Sequence, residues 1–523
     1  MKNFKSKLLE YFNLTENEYE ELCKDVNLED LPSYKNYLHI DDCANFIHEK
    51  IKKNTKTLIY GDYDCDGIMA TSIIFLTLKT ENFTPGFYIP SRENDGYGLT
   101  IKNIDKFNSL GYKLIILVDN GISLYEQIKH ANSLGIDVVV LDHHTLEGCF
   151  PDAKFILHPI YSNFSKVNMS AGSVAFFFSI AYLQIVDEYL LTLAAISTIS
   201  DLMPLIEYNR LLVKLAIKII NKNKYENVML LMEKDDSSTI NEQDISMLLV
   251  PKINAIGRLI NDNSLYTIVK YFIRENDTVF IKKASSWIKE VNLKRKKMIT
   301  DISLENSVDA NNNSIIVVEK NINEGLIGLL AAKFMNDYNK PTAVLIEDTH
   351  NNDLYKGSMR SKEGFNVNVI LDDLKDILIS YGGHKNAGGF VLEKNNFDIF
   401  KNKFEIASKK HPFKNYEEKT IEISLPDVNK ENFDILNRLA PFGQDFKEPK
   451  FMIKNIKTSF LQLSRNKKHI YTKFSTNGVI VYFNYDKNVY NNNYVDLIGN
   501  LNINYFNGLY TIQFKVLSFL ESK

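Results

Sequence analysis

The sequence predicts an α/β protein: two α/β domains joined by a long helix around a central cleft, followed by a C-terminal β-barrel. Three observations carry this. Apolar runs at residues 57–60, 113–118 and 138–141 alternate with helix-patterned segments at 70–80 and 124–134, the rhythm of a parallel sheet with right-handed crossovers. A second such unit opens with the run 315–318, after a stretch (277–301) in which Phe280, Ile281, Ala284, Ile288 and Val291 keep helical spacing. From about residue 415 the texture changes to short β-prone runs separated by Asn, Asp and Gly. The expected divisions are a helical lead-in over 1–50, the first α/β domain with a helical extension over 51–275, the connecting helix over 276–310, the second α/β domain over 311–412, and the β domain over 415–523.

The first strand leads into Asp62-Tyr63-Asp64-Cys65-Asp66-Gly67. In extended chain, residues two apart face the same way, so three carboxylates share one face and repel unless a multivalent cation neutralises them. A calcium EF-hand loop also begins with alternate acids, but it needs a bidentate acid at its twelfth position, which here is Ile73. A solvated acidic turn is the plainer alternative. The next two strands argue against it, because they end in Asp119-Asn120-Gly121 and Asp142-His143-His144. Ligands of open parallel sheets bind beyond such strand ends. A fourth acid, Asp201, follows the apolar helical run 190–199. The convergence of carboxylate and imidazole predicts a metal site.

Size and composition narrow the class. A chain of 523 residues holds two to four domains. Its formal charge of −3 requires any nucleic-acid binding to come from local patches. Cys23, Cys43, Cys65 and Cys149 form no close pairs, as expected in a reducing compartment. The first 25 residues are charged throughout and lack a signal-peptide core. The apolar stretch 174–199 is interrupted by Gln184, Asp187 and Glu188 and reads as a buried helix pair, not a membrane span. The expectation is a cytoplasmic protein with no membrane partner. Between Lys450 and Lys515 stand nine Lys/Arg against two acids, Asp486 and Asp496. Phe460, Tyr471, Phe474, Tyr482, Tyr485, Tyr505, Phe506 and Tyr510 interleave with them. Some must fill a barrel core, and the rest suit base stacking and phosphate tracking. Trp287, the single tryptophan, falls on the long helix and reads as packing.

Taken together, these motifs resemble the DHH phosphoesterase superfamily, specifically the RecJ single-strand-specific 5′→3′ exonucleases, from residue 51 onward. Asp62–Gly67, Asp119-Asn120-Gly121, Asp142-His143-His144 and Asp201 resemble its four motifs. Ile89-Pro90-Ser91-Arg92 with Gly96-Tyr97-Gly98-Leu99, and Asn254-Ala255-Ile256-Gly257-Arg258, resemble its end-approaching segments. Gly357-Ser358-Met359-Arg360-Ser361 and the glycine-rich run 382–389 resemble the DHH-associated domain, and the C-terminal region its OB-fold. Two departures stand out. Ile322-Asn323 occupy the place of a common Trp-His, and Asp445-Phe446-Lys447 that of Gly-Asn-Pro.

The resemblance implies a metal-dependent exonuclease acting 5′→3′ on single-stranded DNA in recombination and repair, with two divalent cations, Mn²⁺ or Mg²⁺. Asp64, Asp66, Asp119, His143 and Asp201 would hold them. His144 would face the scissile phosphate, and Asp62 and Asp142 would orient the ligands. Arg92, Ser358 and Arg360 would clamp a 5′-phosphate. Asn254, Arg258, Ser361, Gly382, Gly383 and His384 would contact the backbone or the end nucleotide. A single-strand-binding protein and a helicase are the implied partners of a monomer. Rival readings are a phosphoesterase for short oligoribonucleotides or nucleoside bisphosphates, which lacks the basic third domain, and a non-catalytic nucleic-acid-binding scaffold, which would have lost an acid or histidine. A cyclic-dinucleotide phosphodiesterase fits less well, since such members carry membrane helices.

Overall fold

The computed structural model describes residues 3–522 except 94, 97, 147, 162–166, 275, 306–311, 321, 350, 414–418 and 507–508. Tyr97, part of the expected end-approaching segment, and the expected boundaries near 310 and 415 therefore lie outside the described residues. The chain forms two compact units, Pro32–Met203 with Leu215–Asn415, and Met1–Leu31 with Pro204–Lys214 and Tyr416–Lys523.

The larger unit opens with five parallel strands, β1 (Thr57–Tyr60), β2 (Gly86–Tyr88), β3 (Leu114–Val118), β4 (Asp137–Leu141) and β5 (Phe155–Leu157), in the order β2-β1-β3-β4-β5. Every residue of β1 and β3 is buried, which is why they read as unbroken apolar runs. The strand order reverses between β1 and β3, the switch point at which open α/β sheets bind ligands. Helices Ala171–Leu183 and Glu188–Ser200 form the expected buried pair against helix Cys65–Leu78. The latter begins earlier than its apolar pattern, because Asp64 caps it: Gly67 N donates to Asp64 Oδ1 at 3.2 Å.

A single 28-residue helix, Thr278–Glu305, connects to the second sheet. That sheet comprises β6 (Ile315–Glu319), β7 (Thr342–Glu347), β8 (Leu354–Arg360), β9 (Leu378–His384) and β10 (Ala387–Glu393), ordered β6-β7-β8-β10-β9. Only β6 and β7 run parallel; the other pairings are antiparallel. Among the described residues no helix is long and apolar enough to cross a membrane.

The smaller unit holds six strands, β11 (Thr420–Glu422), β12 (Lys450–Lys457), β13 (Ile470–Lys473), β14 (Gly478–Tyr482), β15 (Tyr494–Phe506) and β16 (Leu509–Glu521), ordered β11-β12-β15-β16-β14-β13. The expected lead-in divides here. Helices Phe4–Phe12 and Glu16–Cys23 belong to this unit, and Phe4 and Leu8 enter its core beside Phe451, Leu497 and Phe514. The Asp445-Phe446-Lys447 departure has a packing role. Phe446 stacks on Phe12 (4.8 Å) and Phe442 (5.8 Å) and lies under the Arg210 guanidinium (4.6 Å). That guanidinium in turn donates to the carbonyls of Leu439 (2.6 Å) and Pro441 (2.7 Å). The interleaved aromatics sort as composition required. Tyr482, Phe474, Tyr485 and Tyr510 join the core, whereas Phe460, Tyr471 and Tyr505 are exposed. The side chain of Phe506 is outside the described residues.

Candidate active site

The strand ends deliver their acids to one place. Three groups of potential ligand atoms come together: Asp62 with Asp64 and Asp119; Asp66 with His143 and Asp201; and Asp119 with Asp142, His143 and His144. His143 Nε2 lies 3.2 Å from Asp119 Oδ1, 3.5 Å from Asp66 Oδ2 and 3.6 Å from Asp201 Oδ2. Asp119 leaves β3 with φ 61°, a left-handed step that Asp tolerates better than most residues and that turns the chain at the strand end.

Each acid is held differently. Asp66 receives Ala171 N and Gly172 N (both 2.9 Å) at the start of helix Ala171–Leu183, and Ser197 Oγ at 2.5 Å, so three donors fix the orientation of its carboxyl group. Asp142 accepts from Ile122 N (2.9 Å), His143 N (2.7 Å) and His144 Nδ1 (2.7 Å). With both oxygens so engaged it reads as an orienting residue. Burial alone would raise the Asp142 carboxyl, but the His144 bond and charge outweigh it and hold it below the usual range. The same bond lifts His144 to about 9 against the effect of burial. Its ring is more open than that of His143, at 45 % against 7 % exposure.

The remaining acids are under electrostatic pressure. Burial first, then Asp64, pushes Asp62 up to about 8. Burial, then Asp66, pushes Asp201 to about 8. Burial with neighbouring carboxylates also raises Asp64 and Asp119. Asp62 Oδ1 and His143 Nδ1 are buried with no hydrogen-bond partner. A set of crowded hard oxygen donors, one imidazole and orphaned polar atoms fits divalent cations such as Mn²⁺ or Mg²⁺ better than thiolate-seeking metals.

Beside the acids lies a cavity of about 540 Å³ lined by Arg92, Arg258, Gly325, Gly328, Lys356, Ser358, Arg360 and Gly382, among others. Arg360 donates to Ser358 Oγ (2.9 Å), and Arg258 to the carbonyl of Gly325 (3.0 Å). A Cβ on Gly328 would stand 2.5 Å from the Arg360 guanidinium, so glycine is what lets the start of helix Ile327–Tyr338 face this pocket. Lys356 is matched by Glu324 (2.9 Å) and Asp348 (3.3 Å), but no ion pair to Arg92, Arg258 or Arg360 occurs among the described residues. Burial, then repulsion from Arg92, pulls Arg258 down to about 10. Crowded guanidinium groups and a helix N-terminus make an anion site.

Arg92, Arg258, Ser358, Arg360 and Gly382 thus meet at one cavity, whereas four other sequence candidates do not line it. Asn254 Oδ1 instead accepts from Cys65 N at 2.8 Å and ties down the acidic loop. Ser361 Oγ is spent on the carbonyl of Phe365 (2.8 Å). Gly383 and His384 lie further along β9. Sequence reading missed three participants. The Tyr63 ring carries the Arg92 guanidinium at 4.5 Å. Asp95 receives Tyr88 Oη (3.0 Å), Ser91 N (2.9 Å) and Asn103 Nδ2 (3.0 Å), knotting the loop that bears Arg92. Arg295, on the connecting helix, adds to the repulsion at Arg258. No local pattern marks these residues, although the position of Tyr63 between two of the acids could have drawn notice. At the other departure, Asn323 Oδ1 accepts from Gly325 N at 2.8 Å, shaping the turn into the pocket.

A switch-point acid cluster paired with a second sheet bearing an anion pocket is the architecture of the DHH class. Family models agree: the DHH family N-terminal domain matches residues 56–198, the DHHA1 domain 311–409 and the RecJ OB domain 420–518. The chain belongs to the RecJ family. It is 30 % identical over 443 residues to the single-stranded-DNA-specific exonuclease RecJ of Bacillus subtilis, covering 82 % of this chain and 56 % of that protein. It therefore spans little more than half the length of that relative. The fold matches crystal structures of RecJ from Thermus thermophilus in complex with Mn²⁺ (TM-score 0.82, 20 % identity, 99 % of this chain and 76 % of that one) and with Mg²⁺ (TM-score 0.77, 19 % identity, 99 % and 75 %).

Proposed function

We propose that this chain is a metal-dependent exonuclease that hydrolyses single-stranded DNA in the 5′→3′ direction, serving DNA recombination and repair. One observation carries the reading most: a single residue links the anion pocket to the acidic cluster. Tyr63 sits between Asp62 and Asp64 in the chain, and its ring supports Arg92 of the pocket. A terminal phosphate held by Arg92, Ser358 and Arg360 leaves the following phosphodiester beside the acids. Arg258 shapes the same wall, and Asn254, Ser361, Gly383 and His384 support or extend it. Asp64, Asp66, Asp119, His143 and Asp201 are the residues to hold two cations, Mn²⁺ or Mg²⁺. When bound, such ions neutralise phosphate charge and make a water nucleophilic near neutral pH. Asp62 and Asp142 orient this set. His144, kept protonated by Asp142, donates to the scissile phosphate.

The division into a DHH domain, connecting helix, DHH-associated domain and OB-fold assigns chemistry to the first, end recognition to both α/β parts and strand holding to the last. All site residues come from one chain, so a monomer suffices. A helicase and a single-strand-binding protein in the cytoplasm would present such strands.

A phosphoesterase for short oligoribonucleotides would not need the exposed Tyr471 and Tyr505. With Mn²⁺ supplied, the protein is expected to degrade long 5′-phosphorylated single-stranded DNA far faster than a dinucleotide; the reverse preference would favour the small-substrate reading. Replacing Tyr471 and Tyr505 together by alanine should weaken long-strand binding by about tenfold or more, given ~1–3 kcal/mol per stacked base. Dinucleotide turnover should stay unchanged. Filter binding and single-turnover assays measure both.

A further inference from the structure

Helix Glu188–Ser200 ends at Asp201 and leaves through a Schellman turn: Leu202 N donates to Ile199 O (3.3 Å) and Met203 N to Thr198 O (3.1 Å). Such a turn places its first residue past the cap in the left-handed region, and Leu202 has φ 53°. A Cβ crowds the backbone there, so glycine is the usual occupant and Asn the common substitute. Among the described residues, Leu202 is the one apolar side chain with positive φ; the rest are Asn, Asp, Glu, Gln, His or Lys. Packing does not account for the choice, since Leu202 is 69 % exposed.

Neither the turn nor the core asks for leucine at this position. Asp201, its chain neighbour, brings Oδ2 to 3.6 Å from His143 Nε2 within the acidic cluster. Consecutive Cα atoms are about 3.8 Å apart, so the backbone that carries this exposed apolar group adjoins the candidate catalytic centre. We propose that Leu202 is a substrate-contact residue, whose isobutyl group packs against the nucleoside flanking the scissile phosphate and holds the strand in register. This rests on the reading of the chain as a hydrolase of single-stranded DNA. The strained backbone is then retained for binding, as strain at functional sites commonly is.

The test uses the full chain with Mn²⁺, the variants Leu202→Gly and Leu202→Ala, and two 5′-phosphorylated oligodeoxynucleotides. One is ordinary, and the other carries abasic residues at its first two positions. Leu202→Gly restores the preferred turn residue, so its melting temperature should equal or exceed that of the wild type. Its KM on the ordinary strand should rise roughly tenfold, the scale of losing a buried aliphatic side chain, with Leu202→Ala between the two. Wild type should lose affinity for the abasic strand, and Leu202→Gly should lose distinctly less. An unchanged KM, an equal abasic penalty in both proteins, or a fall in melting temperature that accompanies the loss would overturn the proposal. A wild-type protein that leaves the ordinary strand intact would overturn the functional reading itself, and this contact with it.

Discussion

Replacing Asp119 by alanine is expected to remove hydrolysis while leaving single-stranded DNA binding nearly intact. Asp119 belongs to two of the three potential ligand groups, joining Asp62 and Asp64 on one side and His143 on the other. Its loss removes a donor common to both prospective cation positions. Mutating even the residues that merely support metal ligands costs ~10–100-fold, so a shared ligand should cost at least about a hundredfold in kcat. Under the proposed function, binding rests chiefly on the arginine cavity and on the exposed aromatics of the smaller unit, which this substitution does not touch. Metal binding followed calorimetrically should show weaker Mn²⁺ uptake in the variant. Turnover within a few-fold of wild type at saturating Mn²⁺ would remove Asp119 from the proposed centre.

Arg360→Ala should cripple selectively the use of 5′-phosphorylated strands. The side chain is fixed by Ser358 Oγ and the Met359 carbonyl (2.9 and 2.8 Å) and lines the cavity with Arg92 and Arg258. Losing a charge-assisted contact is worth about 1.5–3 kcal/mol, which is roughly ten- to a hundredfold in kcat/KM. Strands with a 5′-hydroxyl never made the contact and should suffer much less. Matched substrates labelled at the 3′ end give both numbers. A uniform loss on the two strands would assign Arg360 to general backbone attraction.

The parts of this site that could be read from sequence share a physical cause. β1, β3 and β4 are buried on both faces, so their apolar runs are unmistakable, and the acids that follow must emerge at the sheet edge. The switch point between β1 and β3 then gathers Asp62, Asp64, Asp66, Asp119, Asp142 and His143 without further information. The arginine pocket is different. Arg92, Arg258 and Arg360 are far apart in the chain and sit in loops, a helix and an antiparallel strand, so no periodicity links them and only the family resemblance pointed to two of them as a clamp. Arg295 acts across the fold, Asp95 through a loop-internal knot with Tyr88, Ser91 and Asn103, and Tyr63 through the Arg92 guanidinium, none of which follows a periodic sequence pattern. Strands β2 and β5, with three residues each, are too short for an apolar run to stand out. The packing of the lead-in was not legible either: Phe4 and Leu8 sit on an amphipathic helix whose partner, Phe451, lies more than 400 residues away.

Polarity of hydrolysis is the decisive property of the proposed enzyme. A long single-stranded DNA with a 5′-phosphate and distinct labels at its two ends, incubated with the protein and Mn²⁺, tests it directly. The 5′ label is expected to be released first as a mononucleotide while the 3′ label stays on a progressively shorter strand. Release of the 3′ label first, or internal fragments carrying each label, would contradict it.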